Sequence, residues 1–283
     1  MKRIVFIILF ACLVLLGMIF SDWTEAKEGE LHIVFCDVGQ GDAILITTPD
    51  QKQILIDAGP DKSVIDCLSR HMPLWDRTIE LALMTHPHAD HFVGYYYVID
   101  GYRIDQFATE ELFNDTASFE RLTSLLNEQQ IPQRFVVAGD KWKIGDVTLT
   151  ILGPTDEYLL SKDPDRYITS SAESASLTML VTYGDFEAFL SGDTPIYQMR
   201  EMDLVDVDVM QVPHHGSTTG VDEFVLSDLA PELAVISVGA KNKYGHPKPK
   251  TLDLLQQAQI SVLRTDQEGD VEVVSNGVTW HAR

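Results

Sequence analysis

Thr85-His86-Pro87-His88-Ala89-Asp90-His91 places four metal-binding side chains within six residues. His86 and His88 stand at i and i+2, so in an extended segment they project to one side, while Asp90 and His91 follow where the chain turns into a helix. That spacing suits two cations. The two imidazoles clasp one, and Asp90 with His91 faces a second about 3.5–4 Å away, a separation used in metal-assisted hydrolysis. Nine histidines in 283 residues seldom gather this way, so a chance run of surface polar residues is the weaker reading.

The elements that must position this run lie on both sides of it. Residues 81–84 read as a buried strand delivering the loop, and 92–99 as the helix that carries Asp90 and His91 at its first turn. Upstream, 31–36, 43–48 and 53–57 read as strands, the last two joined in a hairpin by Thr48-Pro49-Asp50-Gln51. Gly39 and Gly41 give the bend over 37–42 its backbone freedom. The stripe Phe119, Leu122, Leu125 and Leu126 predicts a core-facing helix over 118–129 with Ser118 as its cap. Strands follow at 135–138 and 147–152, and the Pro, Asp, Ser and Tyr content of 153–174 predicts a long loop bordering the site.

In the second half, 175–183 and 186–191 form a hairpin through Gly184-Asp185 and end at Ser191-Gly192-Asp193-Thr194-Pro195. A carboxylate at that strand end, with a helix opening at Pro195, can bridge two cations. Strand 207–212 delivers Pro213-His214-His215-Gly216-Ser217, where adjacent histidines can serve as one ligand and one proton donor or phosphate contact. Strand 233–238 leads to a loop holding His246 among Lys241, Lys243, Lys248 and Lys250. A helix over 251–257 and strands at 260–263, 271–274 and 278–281 complete the chain.

Lys2 and Arg3 precede an uncharged, mostly apolar run over 4–20, and acidic residues then mark the return to water. We read 1–30 as an export or anchoring segment with a short linker and 31–283 as one α/β domain, 45% hydrophobic residues being enough for a substantial core. The leading positive charge places the remainder outside the cytoplasm, secreted or held to the membrane. The net charge of −22 opposes non-specific attraction of nucleic acid, so an anionic substrate must be drawn in locally. Cys12, Cys36 and Cys67 have no redox or zinc-ribbon spacing, and Cys36 and Cys67 are expected as buried free thiols.

The motif His86-x-His88-x-Asp90-His91 resembles the signature of the metallo-β-lactamase-fold hydrolases. With Val34-Phe35-Cys36-Asp37-Val38-Gly39-Gln40-Gly41-Asp42-Ala43 upstream and Pro213-His214-His215-Gly216-Ser217 downstream, the resemblance narrows to the hydrolase domain of the ComEC competence proteins, from about residue 31 to about 277. It implies a four-layer αββα sandwich of two mixed sheets between outer helices, and two divalent ions, Zn²⁺ or Mn²⁺. His86, His88, Asp90, His91, Asp193, His215 and His246 are the metal ligands it implies. His215 falls to the first metal, His246 to the second, and Asp193 bridges them. His214 takes the acid or substrate role, with the assignment of His214 and His215 open to exchange. Asp90, Asp193 and His214 make up the catalytic set, with Ser217 as a substrate contact. The loop holding Asp37 lies near the metals, and Asp57 orients a ligand histidine in preference to ligating directly. Two departures bear on the substrate: Lys248 stands where many relatives have a histidine, and the asparagine common before the strand beginning Ala175-Ser176-Leu177 is missing.

A bridging carboxylate and two divalent ions would lower the pKa of a shared water toward neutrality. Fold alone does not decide which bond is cut. Lys241, Lys243, Lys248 and Lys250, crowded together in a chain with 43 acidic and 21 basic residues, favour a phosphodiester, either DNA or a cell-surface polymer. The alternatives are a lactam, lactone or thioester as substrate, or an anchored protein that holds metal and polymer without turnover.

Overall fold

The computed structural model describes residue 10, residues 29–162 and residues 175–283. Most of the expected leader and positions 163–174 of the expected loop lie outside the described residues. The first half of the chain builds β1 (Leu31–Phe35), β2 (Ile44–Thr47), β3 (Gln53–Ile56), β4 (Thr78–Ile79), β5 (Leu81–Met84), β6 (Arg103–Ile104), β7 (Phe107–Thr109) and β8 (Gln133–Phe135). The second half builds β9 (Lys141–Ile144), β10 (Val147–Gly153), β11 (Thr178–Tyr183), β12 (Phe186–Leu190), β13 (Val209–Gln211), β14 (Leu233–Ile236), β15 (Ser261–Arg264), β16 (Val271–Ser275) and β17 (Trp280–Ala282). One sheet has the order β17-β16-β1-β2-β3-β5-β7-β8, the other β15-β14-β13-β12-β11-β10-β9, and β4 pairs with β6 apart from both.

Side-chain alternation explains the layering. Leu31, Ile33 and Phe35 point inward against Leu149, Ile151 and Val181 of the facing sheet, while Val34, Leu45, Leu55, Ala82 and Met84 point outward under helices Ser63–His71, Tyr95–Gly101 and Ala117–Glu128. On the opposite side, Met210, Ala234 and Ile236 pack beneath helices Glu223–Leu229 and Pro249–Gln257. Strands covered on both faces must be apolar at nearly every position, as Leu81-Ala82-Leu83-Met84 is. The result is the expected αββα sandwich.

Each sheet is mixed. β1–β2–β3 and β10–β11–β12 run antiparallel, whereas β3–β5–β7–β8 and β12–β13–β14–β15 run parallel. The parallel runs aim the carboxyl ends of β3, β5, β12, β13 and β14 toward one edge of the sandwich, where open α/β sheets receive ligands.

Several elements differ from their sequence expectations. The helix after the metal-binding loop comes in two pieces, Ala89–Phe92 and Tyr95–Gly101, because the Gly94 N–H donates to the Gly59 carbonyl at 2.9 Å in place of the preceding helical turn; the chain passes so close there that a Cβ on Gly94 would lie 1.8 Å from the Ala58 carbonyl oxygen. Thr116 caps helix Ala117–Glu128 in place of Ser118, accepting from the Phe119 N–H at 3.3 Å. Within the expected loop a helix forms at Asp156–Lys162; Thr155 Oγ1 accepts from the Tyr158 N–H, and Leu159 is buried against Leu112 and Ala175. The expectation of free thiols is overturned: Cys36, at the end of β1, and Cys67, on the buried stripe of helix Ser63–His71, form a disulfide with Cα atoms 5.8 Å apart. Packing of that helix on the outer face of the sheet brings them together.

Candidate metal centre

The run 85–91 leaves β5 at the sandwich edge, and its histidines are fixed from behind. Asp57, in the left-handed region just after β3, accepts from the Thr85 N–H at 2.7 Å through Oδ1 and from Thr85 Oγ1 at 2.7 Å through Oδ2. The same Oδ2 accepts from His91 Nδ1 at 2.8 Å. Because the Thr85 hydroxyl proton is committed to Asp57, its oxygen is free to accept from His86 Nδ1 at 3.1 Å. His215 Nδ1 donates to the Ser237 carbonyl at 3.0 Å. Three imidazoles thus have Nδ1 engaged and Nε2 directed inward, the tautomer a metal ligand requires.

Asp193 reaches the cluster from the end of β12. Gly192 (φ +49) makes this approach possible, since a Cβ there would lie 2.4 Å from Ser176 Oγ; the same hydroxyl accepts from the Asp193 N–H at 3.1 Å. The Asp193 carboxylate straddles two groups. Its Oδ2 is 3.7 Å from His86 Nε2 and 3.9 Å from His214 Nε2, and its Oδ1 is 3.5 Å from His91 Nε2 and 3.8 Å from His215 Nε2. His86 Nε2 and His88 Nδ1 converge to 3.0 Å, and Asp90 Oδ2 lies 3.6 Å from His215 Nε2. Donor atoms of His86, His88 and Asp193 form one set within 4.8 Å of one another, and those of Asp90, His91 and His215 form another.

The donor chemistry fits divalent cations. His91 Nε2, Asp193 Oδ1 and His215 Nε2 are buried and have no hydrogen-bond partner among the described residues, a costly arrangement unless something binds there. Burial lowers the basicity of His91, yet the carboxylates of Asp193 and Asp57 raise its pKa well above the usual histidine range. His215 behaves alike, with Asp193 and Asp42 overcoming burial. Burial and the neighbouring His91 push His86 the other way, well below that range. Burial would raise Asp193 and Asp90, but His91 and His215 hold both carboxylates well below their ordinary values. The carboxylates and imidazoles of the cluster thus shift one another in the sense expected where negative charge calls for facing positive charge, which bound cations would supply.

The expected residues do not all gather at the centre. His215 sits with Asp90 and His91, not with His86 and His88, so it faces the second set, while His214 is the one near Asp193 Oδ2. Both occupy left-handed backbone (φ 52 and 54), a conformation that costs non-glycine residues on the order of 1–2 kcal/mol each and persists where surroundings impose it. His246 lines the same cavity of about 300 Å³ as His88, Asp90, Asp193, His214 and His215. Burial, His214 and His215 lower its pKa to about 4.

Asp37 is exposed and away from the centre, its N–H donating to Asp270 Oδ1 at 2.8 Å. The carboxylate that this loop brings inward is Asp42, 3.5 Å from His215 Nδ1 and 3.9 Å from His91 Nδ1. Gln211 Nε2 donates to Asp42 Oδ2 at 2.7 Å, while Gln211 Oε1 accepts from the N–H groups of Ser191 and Gly192, tying Asp42 to the strand end that carries Asp193. Sequence reasoning missed both residues; Gly41-Asp42, next to a strand, was the available signal. Ser217 is turned into its own loop, Oγ contacting Thr219 Oγ1 at 3.1 Å. Lys248 Nζ donates to the Tyr244 carbonyl at 2.6 Å, and Lys250 lies exposed on helix Pro249–Gln257. Lys241 and Lys243 do line a groove beside Asp90.

Paired imidazole–carboxylate sets at the shared edge of an αββα sandwich define a protein built to hold divalent metal. A model of the metallo-β-lactamase superfamily matches residues 36–239, and the chain belongs to that superfamily. It is 26% identical to ComE operon protein 3 of Bacillus subtilis over 287 residues, covering 92% of this chain and 35% of that protein. It is 27% identical to Recombination protein 2 of Haemophilus influenzae over 247 residues, covering 84% and 28%. The chain thus spans about a third of the length of the curated relatives it matches. Among solved structures, the metallo-β-lactamase fold protein YhfI of Bacillus subtilis aligns with a TM-score of 0.54 at 10% identity, covering 86% of this chain and 99% of that one. Igni18, a metallo hydrolase of Ignicoccus hospitalis, aligns with a TM-score of 0.55 at 14% identity, covering 86% and 98%.

Proposed function

We propose that this chain is a metal-dependent phosphodiester hydrolase acting outside the cytoplasm, with DNA as its leading substrate and a cell-surface phosphodiester polymer second. The observation that carries the reading is the Asp193 carboxylate set between two imidazole groups, at the floor of a cavity whose neighbouring groove is lined by Lys241 and Lys243. Two divalent ions, Zn²⁺ or Mn²⁺, when bound would lower the pKa of a water and polarise a phosphoryl oxygen. His86, His88 and Asp193 Oδ2 would hold one, and Asp90, His91, His215 and Asp193 Oδ1 the other. Asp57, Asp42 and the Ser237 carbonyl keep the ligand imidazoles oriented. His214, half-buried on the cavity wall, is placed to give a proton to the departing oxygen. Lys241 and Lys243 supply local attraction for an anion in a chain of net charge −22.

The names of its relatives, which speak of competence and recombination, support DNA over other phosphodiesters. The Cys36–Cys67 disulfide supports an oxidising compartment, and the apolar run behind Lys2 and Arg3 supports export or membrane anchoring. Among the described residues no helix is long and apolar enough to cross a membrane. The test is turnover by the Zn²⁺- or Mn²⁺-loaded protein of bis(p-nitrophenyl) phosphate and single-stranded DNA, with nitrocefin alongside. Phosphodiester cleavage is expected. Nitrocefin turnover alone, or polymer retention without cleavage of anything, would overturn the assignment.

A further inference from the structure

We propose that Tyr244 is a stacking platform for one base of a single-stranded nucleic acid, seated where the metal cavity opens into the lysine-lined groove. This rests on the phosphodiester reading above and names the form of the substrate. The cavity of about 300 Å³ and the groove of about 430 Å³ share Gln40, Ala89, Asp90 and Tyr244. Of these four, Tyr244 alone offers a strand passing from one to the other an aromatic surface. Tyr244 is 50% exposed. One of its neighbours is His246, at a centroid distance of 5.8 Å and an interplanar angle of 28°.

The loop backbone that carries the ring is held in place before any ligand arrives. Asn242 Nδ2 donates to the carbonyls of Gly239 and His246 at 2.8 Å each, and its Oδ1 accepts from the His246 N–H at 2.9 Å. Lys248 Nζ fastens the Tyr244 carbonyl. A prearranged aromatic binds at small entropic cost. Lys243 Nζ lies 5.1 Å from the ring centroid; its flexible stem lets it swing from the ring to a backbone phosphate when a base takes its place. An open aromatic flanked by lysines matches a polymer that alternates flat rings with phosphates, and stacking of this kind tolerates any base. Duplex DNA keeps its bases stacked on one another, and a polyol-phosphate wall polymer has charge but no flat ring.

The experiment compares affinities of the metal-loaded full chain for a short phosphorothioate-linked oligothymidylate and its abasic counterpart, using wild type, Tyr244→Phe and Tyr244→Ala. Wild type and Tyr244→Phe should prefer the base-bearing strand by about tenfold, and Tyr244→Ala should bind both strands alike. The wild-type comparison alone needs no variant to fold. Equal affinity of the wild type for the two strands, an unchanged preference in Tyr244→Ala, or tighter binding of polyglycerol phosphate would overturn the inference while leaving phosphodiester chemistry intact. Binding of neither strand together with no phosphodiester cleavage would remove the underlying reading as well.

Discussion

Asp57→Asn separates holding a ligand from being one. Asp57 is 1% exposed, and its two oxygens receive three hydrogen bonds, from the Thr85 N–H, Thr85 Oγ1 and His91 Nδ1. Asparagine keeps the shape but offers one oxygen to three donors, and its amide turns further hydrogens toward them. Losing one hydrogen bond to a charged group costs about 1.5–3 kcal/mol. At 1.36 kcal/mol per factor of ten, that is a weakening of metal binding of about 10–100-fold. Competition against a chromophoric chelator reads this affinity directly. The variant should still take up the wild-type number of ions at saturating metal, since Asp57 orients His91 and donates no ligand itself. Affinity within about twofold of wild type would refute the orienting role, and loss of an ion at saturation would make Asp57 a ligand.

Three further outcomes follow from the structure. The Cys36–Cys67 bridge closes a loop of sequence separation 31, so reducing it should cost about 3–4 kcal/mol; denaturant unfolding with and without a dithiol measures this, and equal midpoints would contradict it. His91 and His215, both with raised pKa, hold protons near neutrality in the absence of metal, so metal uptake should release on the order of one or two protons and weaken as pH falls; a weakly buffered calorimetric titration showing no release would count against this. Burial raises Asp270, but His71, the Asp37 N–H and Arg70 bring its pKa to about 2. Its folded pKa lies below its unfolded one, so its contribution of about 1–2 kcal/mol is present above about pH 4 and lost as pH falls toward 2; Asp270→Asn should flatten that acid limb of the stability curve.

What the sequence revealed depended on how local each signal was. His86, His88, Asp90 and His91 are contiguous, and a strand leading into a turn is enough to bring their side chains together. Asp193 was readable because a hydrophobic strand, a glycine and a proline frame it. Asp42 and Gln211 escaped because their pairing spans 169 residues and exists only once the two sheets face each other. Two successive left-handed residues send His214 toward Asp193 Oδ2 and His215 toward Asp90 and His91, a backbone feature that side-chain type does not encode. Cys67 lies on the buried stripe with Val64 and Leu68, so its burial was legible; its partner was set by how that helix docks on β1. Lys248, expected as a substrate contact from its crowding around His246, and Ser217, expected from the family resemblance, direct their hydrogen bonds into their own loops.

The central claim is that residues from the ends of three strands, β5, β12 and β13, hold divalent ions around the Asp193 carboxylate. Its most direct test is elemental analysis of the purified chain after equilibration with Zn²⁺ or Mn²⁺ and removal of free ion, comparing wild type with Asp193→Ala. The account predicts two ions per wild-type chain and a clear loss in the variant. A wild-type chain that retains none, or a variant that retains as many as wild type, would contradict it.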